Sequence, residues 1–134
     1  MAGYGPQMSD TKERKDQFWS YMKEEAMSAN KNNKGLIIQM DSNSWVGPQI
    51  IPADPNNQNA NGKLMEKFLK ENPALTVVNA LPNCEGTITR QRKTTRGLER
   101  SILDAYIVCP IVLPLIKCMK IDHLRNYGLS NFRA

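Results

Sequence analysis

Gly35-Leu36-Ile37-Ile38-Gln39-Met40-Asp41-Ser42-Asn43 is a short, nearly continuous apolar run that follows a glycine and ends in three polar residues. Its length and composition predict a buried strand, with polar side chains emerging at the carboxyl end. Upstream, a helix is expected from Asp10 to Asn30, with Asp10 as N-cap and Glu13 closing a capping box. Phe18, Met22, Ala26 and Ala29, flanked by Trp19, fall on one stripe of that helix. Gly3-Tyr4-Gly5-Pro6, before it, reads as a turn or strand end. Downstream, the proline-rich stretch Gly47 to Gly62 predicts a loop long enough to be functional. A second helix follows over Gly62 to Asn72, carrying Leu64, Met65, Phe68 and Leu69 and stopped by Pro73. Strands are expected at Leu75 to Ala80, at Gly86 to Arg90 and at Ser101 to Cys109, the last two around a polar segment Gln91 to Arg100. Leu115 to Ile121 is a further candidate strand. Helices alternating with strands in this way predict an α/β domain of mixed, layered type.

The 134 residues suffice for one domain, read as spanning 1–134. With 40% apolar and 23% charged residues the composition is that of a globular chain. Three cysteines, Cys84, Cys109 and Cys118, leave one unpaired and form no Cys/His array, which argues against a disulfide framework and a structural zinc site. The longest apolar stretch, Ala105 to Ile116, is interrupted by Pro110 and Pro114 and is too short to span a bilayer. No membrane partner is expected. Met1 to Asp10 has neither a basic start nor an apolar run, so the chain is expected to be intracellular, cytoplasmic or nuclear, rather than secreted.

Two carboxylates carry the chemical signal. Asp41 and Asp104 each sit at or inside an apolar strand, where an ionised carboxylate is costly unless paired or bound to a cation. Hard divalent cations take oxygen ligands, often one or two carboxylates with waters and phosphate. Asp41 and Asp104, with Asn43 beside them, therefore suit a metal-assisted phosphodiester site; the plainer reading is that Asp41 only caps a turn with Ser42 and Asn43. Arg90, Arg92, Lys93, Arg96 and Arg100 stand against Glu99 alone and account for most of the net charge of +5. Such a segment suits phosphate-backbone contact or serves simply as a solvated hairpin. His123, after Asp122, is weighed as a general acid or base, but its surroundings read as a polar strand end or turn. Cys84 and Cys109 read as small buried hydrophobes.

Three of these segments, in order, resemble the endonuclease/exonuclease/phosphatase superfamily with its deoxyribonuclease I-like fold, and most of all its retroelement and AP-endonuclease-type domains. Tyr4-Gly5-Pro6-Gln7 resembles the family's Tyr-x-Pro segment. Met40-Asp41-Ser42-Asn43 resembles its Gly-Asp-Phe-Asn. Ile102-Leu103-Asp104-Ala105-Tyr106 resembles the strand whose aspartate orients the catalytic histidine. The helix from Asn61 to Leu69 matches the one that follows the Asp-x-Asn loop. Met40 and Ser42 depart from the family's glycine and aromatic or aliphatic residue.

The resemblance implies part of a four-layer α/β sandwich and hydrolysis of phosphodiesters with Mg2+ or Mn2+. It implies Asp41 as the water-activating carboxylate and a possible metal ligand, Asn43 as the phosphate holder, Asp104 as the histidine partner, and Tyr4 as a phosphate-side hydroxyl. Nucleic acid, DNA in the first instance, would lie along Arg90, Arg92, Lys93 and Arg96. The family's asparagine and glutamate strands would precede Tyr4, and its Ser-Asp-His would follow Ala134. The chain is therefore expected to be a partial copy, its catalytic competence left open, with an exposed sheet face available for self-association. A catalytically silent binding module and a phosphatase of the same superfamily are the alternatives.

Overall fold

The computed structural model describes residues 2–121. Their centre is a four-stranded mixed sheet. Strand β1 (Ala2–Tyr4) runs parallel to β2 (Ile37–Asp41), and the twenty-residue helix α1 (Lys12–Lys31) makes the crossover that a parallel pair requires. Helix α2 (Ala60–Glu71) leads from β2 to β3 (Thr76–Val77). A short pair strand β4 (Cys84–Glu85), a hairpin of β5 (Arg90–Thr94) and β6 (Gly97–Ser101), the long strand β7 (Asp104–Val108) and β8 (Met119–Lys120) complete the order. The sheet order is β1-β2-β7-β3, with β7 antiparallel to both neighbours; β4 pairs with β8 in parallel.

Helix α1 begins one residue later than the sequence suggests. Thr11, not Asp10, is the N-cap, its hydroxyl accepting from the Arg14 N–H at 3.2 Å. The Asp10 carboxylate instead accepts from the Gln7 N–H at 2.8 Å, so no capping box with Glu13 forms. The helix ends in a Schellman motif. Asn33, at φ 52°, donates to Asn30 O and Lys34 to Ala29 O, the left-handed position that asparagine tolerates. Asn59 caps α2 by accepting from Gly62 N at 2.9 Å, and the helix stops two residues before Pro73.

Alternation along β2 sets the two sheet faces. Ile38 and Met40 are buried, as are Ala105 and Ile107 of β7, and both helices cover this side with Trp19, Met22 and Ala26 of α1 and Met65 and Phe68 of α2. The Trp19 and Phe68 rings meet at 5.4 Å. On the opposite face Ile37 remains 43% exposed and Gln39 is exposed. Among the described residues only its lower end is covered, where Val78, Val108, Cys109 and Val112 form a second cluster.

Three segments differ from their sequence reading. Gln91 to Arg100 is not a connection between strands but is itself the β5–β6 hairpin, while 86–89 are not strand. Leu75 to Ala80 holds only a two-residue strand, then a 3-10 turn at Val78–Ala80. Leu115 to Ile121 supplies strand only at Met119–Lys120.

The N-terminal turn of α2 lies against the chain after β2. A Cβ at Gly62 would collide with the Trp45 carbonyl, which is backbone and cannot step aside. Gly62→Ala is therefore expected to destabilise the fold by about 1–3 kcal/mol through overpacking, to be read from urea unfolding. An alanine tolerated at no cost would mean this contact is loose.

Candidate active site

The register of β2 against β7 brings the two sequence-selected aspartates together. Asp41 and Asp104 are direct cross-strand partners. Ser42 N donates to Leu103 O at 2.6 Å and Cys109 N to Leu36 O at 3.1 Å. These bonds make the even-numbered positions of β2 the hydrogen-bonded pairs. Asp41–Asp104 is thus a non-hydrogen-bonded pair, the kind in which facing side chains come closest. Both lie on the face that the helices leave open. Tyr4 is the partner of Asp41 on the other side, through β1, and is 79% exposed. Tyr4, Asp41 and Asp104 therefore form one row across three strands. With Gln39 and Tyr106 they line an open cleft of about 470 Å³.

The turn after β2 is held rigidly. Asp41 Oδ1 accepts from Asn43 N at 3.0 Å, so Asp41 does cap this turn while also facing Asp104. Asn43 has φ 48°, the left-handed region, and its side-chain amide donates to Gly5 O at 2.7 Å. That bond ties the Asp-x-Asn turn to the Tyr-x-Pro segment. Gly5 is required there, because a Cβ would meet the Ser42 carbonyl. Ser42 and Ser44 are fully buried, and their hydroxyls donate to Leu103 O and Ser42 O. Ser42 stands where the resembled family has an apolar side chain; here its hydroxyl is satisfied by the neighbouring strand.

Asp104 has its pKa raised above the ordinary aspartate value of 3.8. Asp104 keeps an exposed side, and its partial desolvation against the sheet is the largest cause; the Asp41 carboxylate adds to it, and a hydrogen bond from Thr89 opposes both. Sequence reasoning missed Thr89. Its oxygen accepts from Leu103 N at 2.8 Å and Asp104 N at 3.2 Å, which leaves the hydroxyl hydrogen for the carboxylate. Asn79 was missed as well. It brackets Asp104 by donating to its carbonyl at 3.0 Å and accepting from Tyr106 N at 2.9 Å, extending the ladder where β3 has ended.

The basic hairpin is rooted beside this row. Thr89 N donates to Ser101 O at 3.1 Å, and Asn56 Nδ2 to Arg100 O at 2.8 Å. Register places Arg90 and Arg92 on one face of the ribbon, opposite Ser101 and Glu99. Lys93 lies on the other, opposite Leu98, which is 53% exposed, and Arg96 sits in the turn. Arg92 Nε pairs with Glu99 at 2.9 Å. Asp122 and His123 lie outside the described residues.

A magnesium or manganese ion asks for oxygen donors. Asp41 and Asp104 supply two carboxylates on one open face, with the Tyr4 hydroxyl and the Gln39 amide in the same cleft. Among the described residues no group of three His, Cys, Asp or Glu side chains is gathered. Two carboxylates with remaining positions for water and substrate oxygens are what a magnesium ion commonly accepts, and two facing carboxylates gain from a cation between them. The donor set fits.

No protein-family model matches the chain, and no curated protein does. Among solved structures, the chain is similar to the endonuclease domain of TRAS1, a telomere-specific non-LTR retrotransposon, with a TM-score of 0.48 and 19% identity. The likeness covers 72% of this chain and 41% of that one, so the chain spans less than half the length of the structure it matches. No helix among the described residues is long and apolar enough to cross a membrane.

Proposed function

We propose that this chain carries a phosphodiester-hydrolysing site of the endonuclease type, dependent on Mg2+ or Mn2+ and acting on nucleic acid. The observation that carries the reading is the row Tyr4–Asp41–Asp104 across three adjacent strands. It unites residues from three motifs that are distant in sequence. In this reading Asp41 orients a water and takes its proton. As that oxygen bonds to phosphorus, the opposite phosphorus–oxygen bond breaks and the leaving oxygen takes up a proton. Asn43, fixed by Gly5 O and by its own turn, donates from its amide to a non-bridging oxygen as negative charge builds there. Tyr4 offers a hydroxyl to the same phosphate. Asp104 is assigned to positioning the general acid that protonates the leaving oxygen; His123, the one histidine of the sequence, lies outside the described residues. A bound divalent cation would supply charge stabilisation to the phosphoryl oxygens, held by Asp41 and Asp104.

A four-layer sandwich of the deoxyribonuclease I type would cover the face on which Ile37 is exposed; in its absence that face is a site for self-association. The substrate strand is assigned to the β5–β6 hairpin, which projects its cations into solvent three residues before Asp104.

The direct test is nicking of supercoiled plasmid with and without magnesium. Cleavage that needs the metal supports the assignment, whereas salt-dependent binding without cleavage would reduce the chain to a binding module. The hairpin makes a separate prediction. Lys93→Ala and Arg96→Ala should each lower the slope of log affinity against log salt by about 1, as expected for loss of one phosphate contact. Arg92→Ala should do less, because Glu99 already neutralises Arg92. Fluorescence anisotropy with a short duplex measures all three; equal effects would show that the hairpin contributes only bulk charge.

A further inference from the structure

Asn61 is fully buried at the start of α2, and it reaches two separated segments at once. Its Nδ2 donates to Pro6 O at 2.8 Å and to Asn43 O at 3.2 Å. The two acceptors are carbonyls, so the orientation of the amide is fixed by chemistry: only the NH2 end can serve both. The other end, Oδ1, is buried with no hydrogen-bond partner among the described residues. An orphaned buried acceptor costs stability, so a group that keeps one is held there by what its donors do.

Around it, the front of α2 stitches down the chain that follows β2. Gln58 Nε2 donates to Val46 O at 3.1 Å and Asn59 N to Trp45 O at 3.0 Å. Both bonds end within the 45–46 segment. Asn61 instead joins the Asn43 carbonyl, in the turn just before that segment, to the Pro6 carbonyl. Asn43 makes the reciprocal bond, from its own amide to Gly5 O. The two asparagines thus close a ring of contacts between the segment bearing Tyr4 and the turn bearing Asp41 and Asn43.

We infer that Asn61 is a positioning residue, which sets the placement of Asn43 and Tyr4 relative to Asp41 by clamping the Pro6 and Asn43 carbonyls to one amide. Its catalytic consequence rests on the function proposed above; the clamp itself does not. Misplacement of a reacting group by about 1 Å costs on the order of 100-fold in rate. Asn61→Leu keeps the branched outline and the number of heavy atoms and removes both donors. It should lower the kcat of plasmid nicking by about 100-fold while KM and duplex affinity stay at wild-type values, since the hairpin is untouched. Gln58→Ala removes a stitch that does not reach Pro6 and should keep wild-type kcat.

Amide hydrogen exchange gives an independent reading. In Asn61→Leu the Asn43 and Ser44 amides should lose protection while Ile38, Met40 and Ile107 keep theirs. If the leucine variant does not fold, couplings across hydrogen bonds from the Asn61 side-chain NH2 to the Pro6 and Asn43 carbonyl carbons, measured on the wild-type chain, decide instead. Unchanged kcat with unchanged protection, or absence of those couplings, overturns the clamp. A wild-type chain that never nicks overturns the proposed function, and exchange then decides the clamp by itself.

Discussion

Asp41→Asn is expected to reduce magnesium-dependent nicking by about 1,000-fold, within the range general-base removal commonly costs, while duplex affinity is unchanged. The substitution is chosen for what it preserves. Asp41 Oδ1 accepts the Asn43 N–H at 3.0 Å, and an asparagine carbonyl in the same place accepts it equally. The backbone bond from Gly5 N to Asp41 O does not depend on the side chain at all. The turn, the left-handed Asn43 and the link to Gly5 should therefore persist, and only the negative charge and the proton-accepting oxygen are lost. Single-turnover nicking beside anisotropy binding separates the two effects. Full activity in Asp41→Asn would leave Asp41 as a turn cap and nothing more.

Asp104→Asn should lose activity and gain stability together. Like charges placed directly across a strand pair are destabilising by roughly 0.2–1 kcal/mol, and Asp104 faces Asp41 in a non-hydrogen-bonded pair. Its raised pKa gives the sign. Partial desolvation and Asp41 favour the protonated form in the folded chain, with Thr89 opposing them. Folding therefore binds the proton more tightly, and the stability this contributes is complete below the unfolded value near 3.8. It disappears as pH rises through the raised folded value. Wild type and Asp104→Asn should accordingly be equally stable at about pH 3, with the variant ahead by up to about 1 kcal/mol at neutral pH. Activity should fall by about 100-fold, the lower end of what a proton-transfer role supplies. Urea unfolding across this pH range measures the first effect, and nicking the second. A variant less stable than wild type at pH 7 would show that Asp104 is retained for structure.

Much of this arrangement is legible in the residues themselves. The run Leu36 to Met40 ending in Asp41 is a strand with its carboxylate at the rim, and Met22, Met65 and Phe68 are core as their helical spacing implies. What sequence does not show is whatever depends on a partner. Ala2–Tyr4 has no strand pattern of its own and becomes one only by pairing with β2. The β5–β6 hairpin is exposed on both faces along most of its length, so no apolar alternation marks it. Asp10 and Thr11 both suit an N-cap, and only the position of the first free N–H decides between them. Thr89, Asn79 and Asn61 look like ordinary polar residues in one dimension. Their roles come from carbonyls and amides that lie 14 to 55 positions away, the widest separation being that of Asn61 from Pro6. The facing of Asp41 and Asp104 is intermediate: each was marked by the apolar run around it, but their registry is a property of the folded sheet.

Carboxyl-carbon chemical shifts of Asp104, followed by NMR from pH 2 to 8 in wild type and in Asp41→Asn, probe that registry directly. The wild-type midpoint should lie above the ordinary aspartate value, and it should move down when the facing charge is removed. An Asp104 midpoint that does not respond to the change at Asp41 would contradict the shared site.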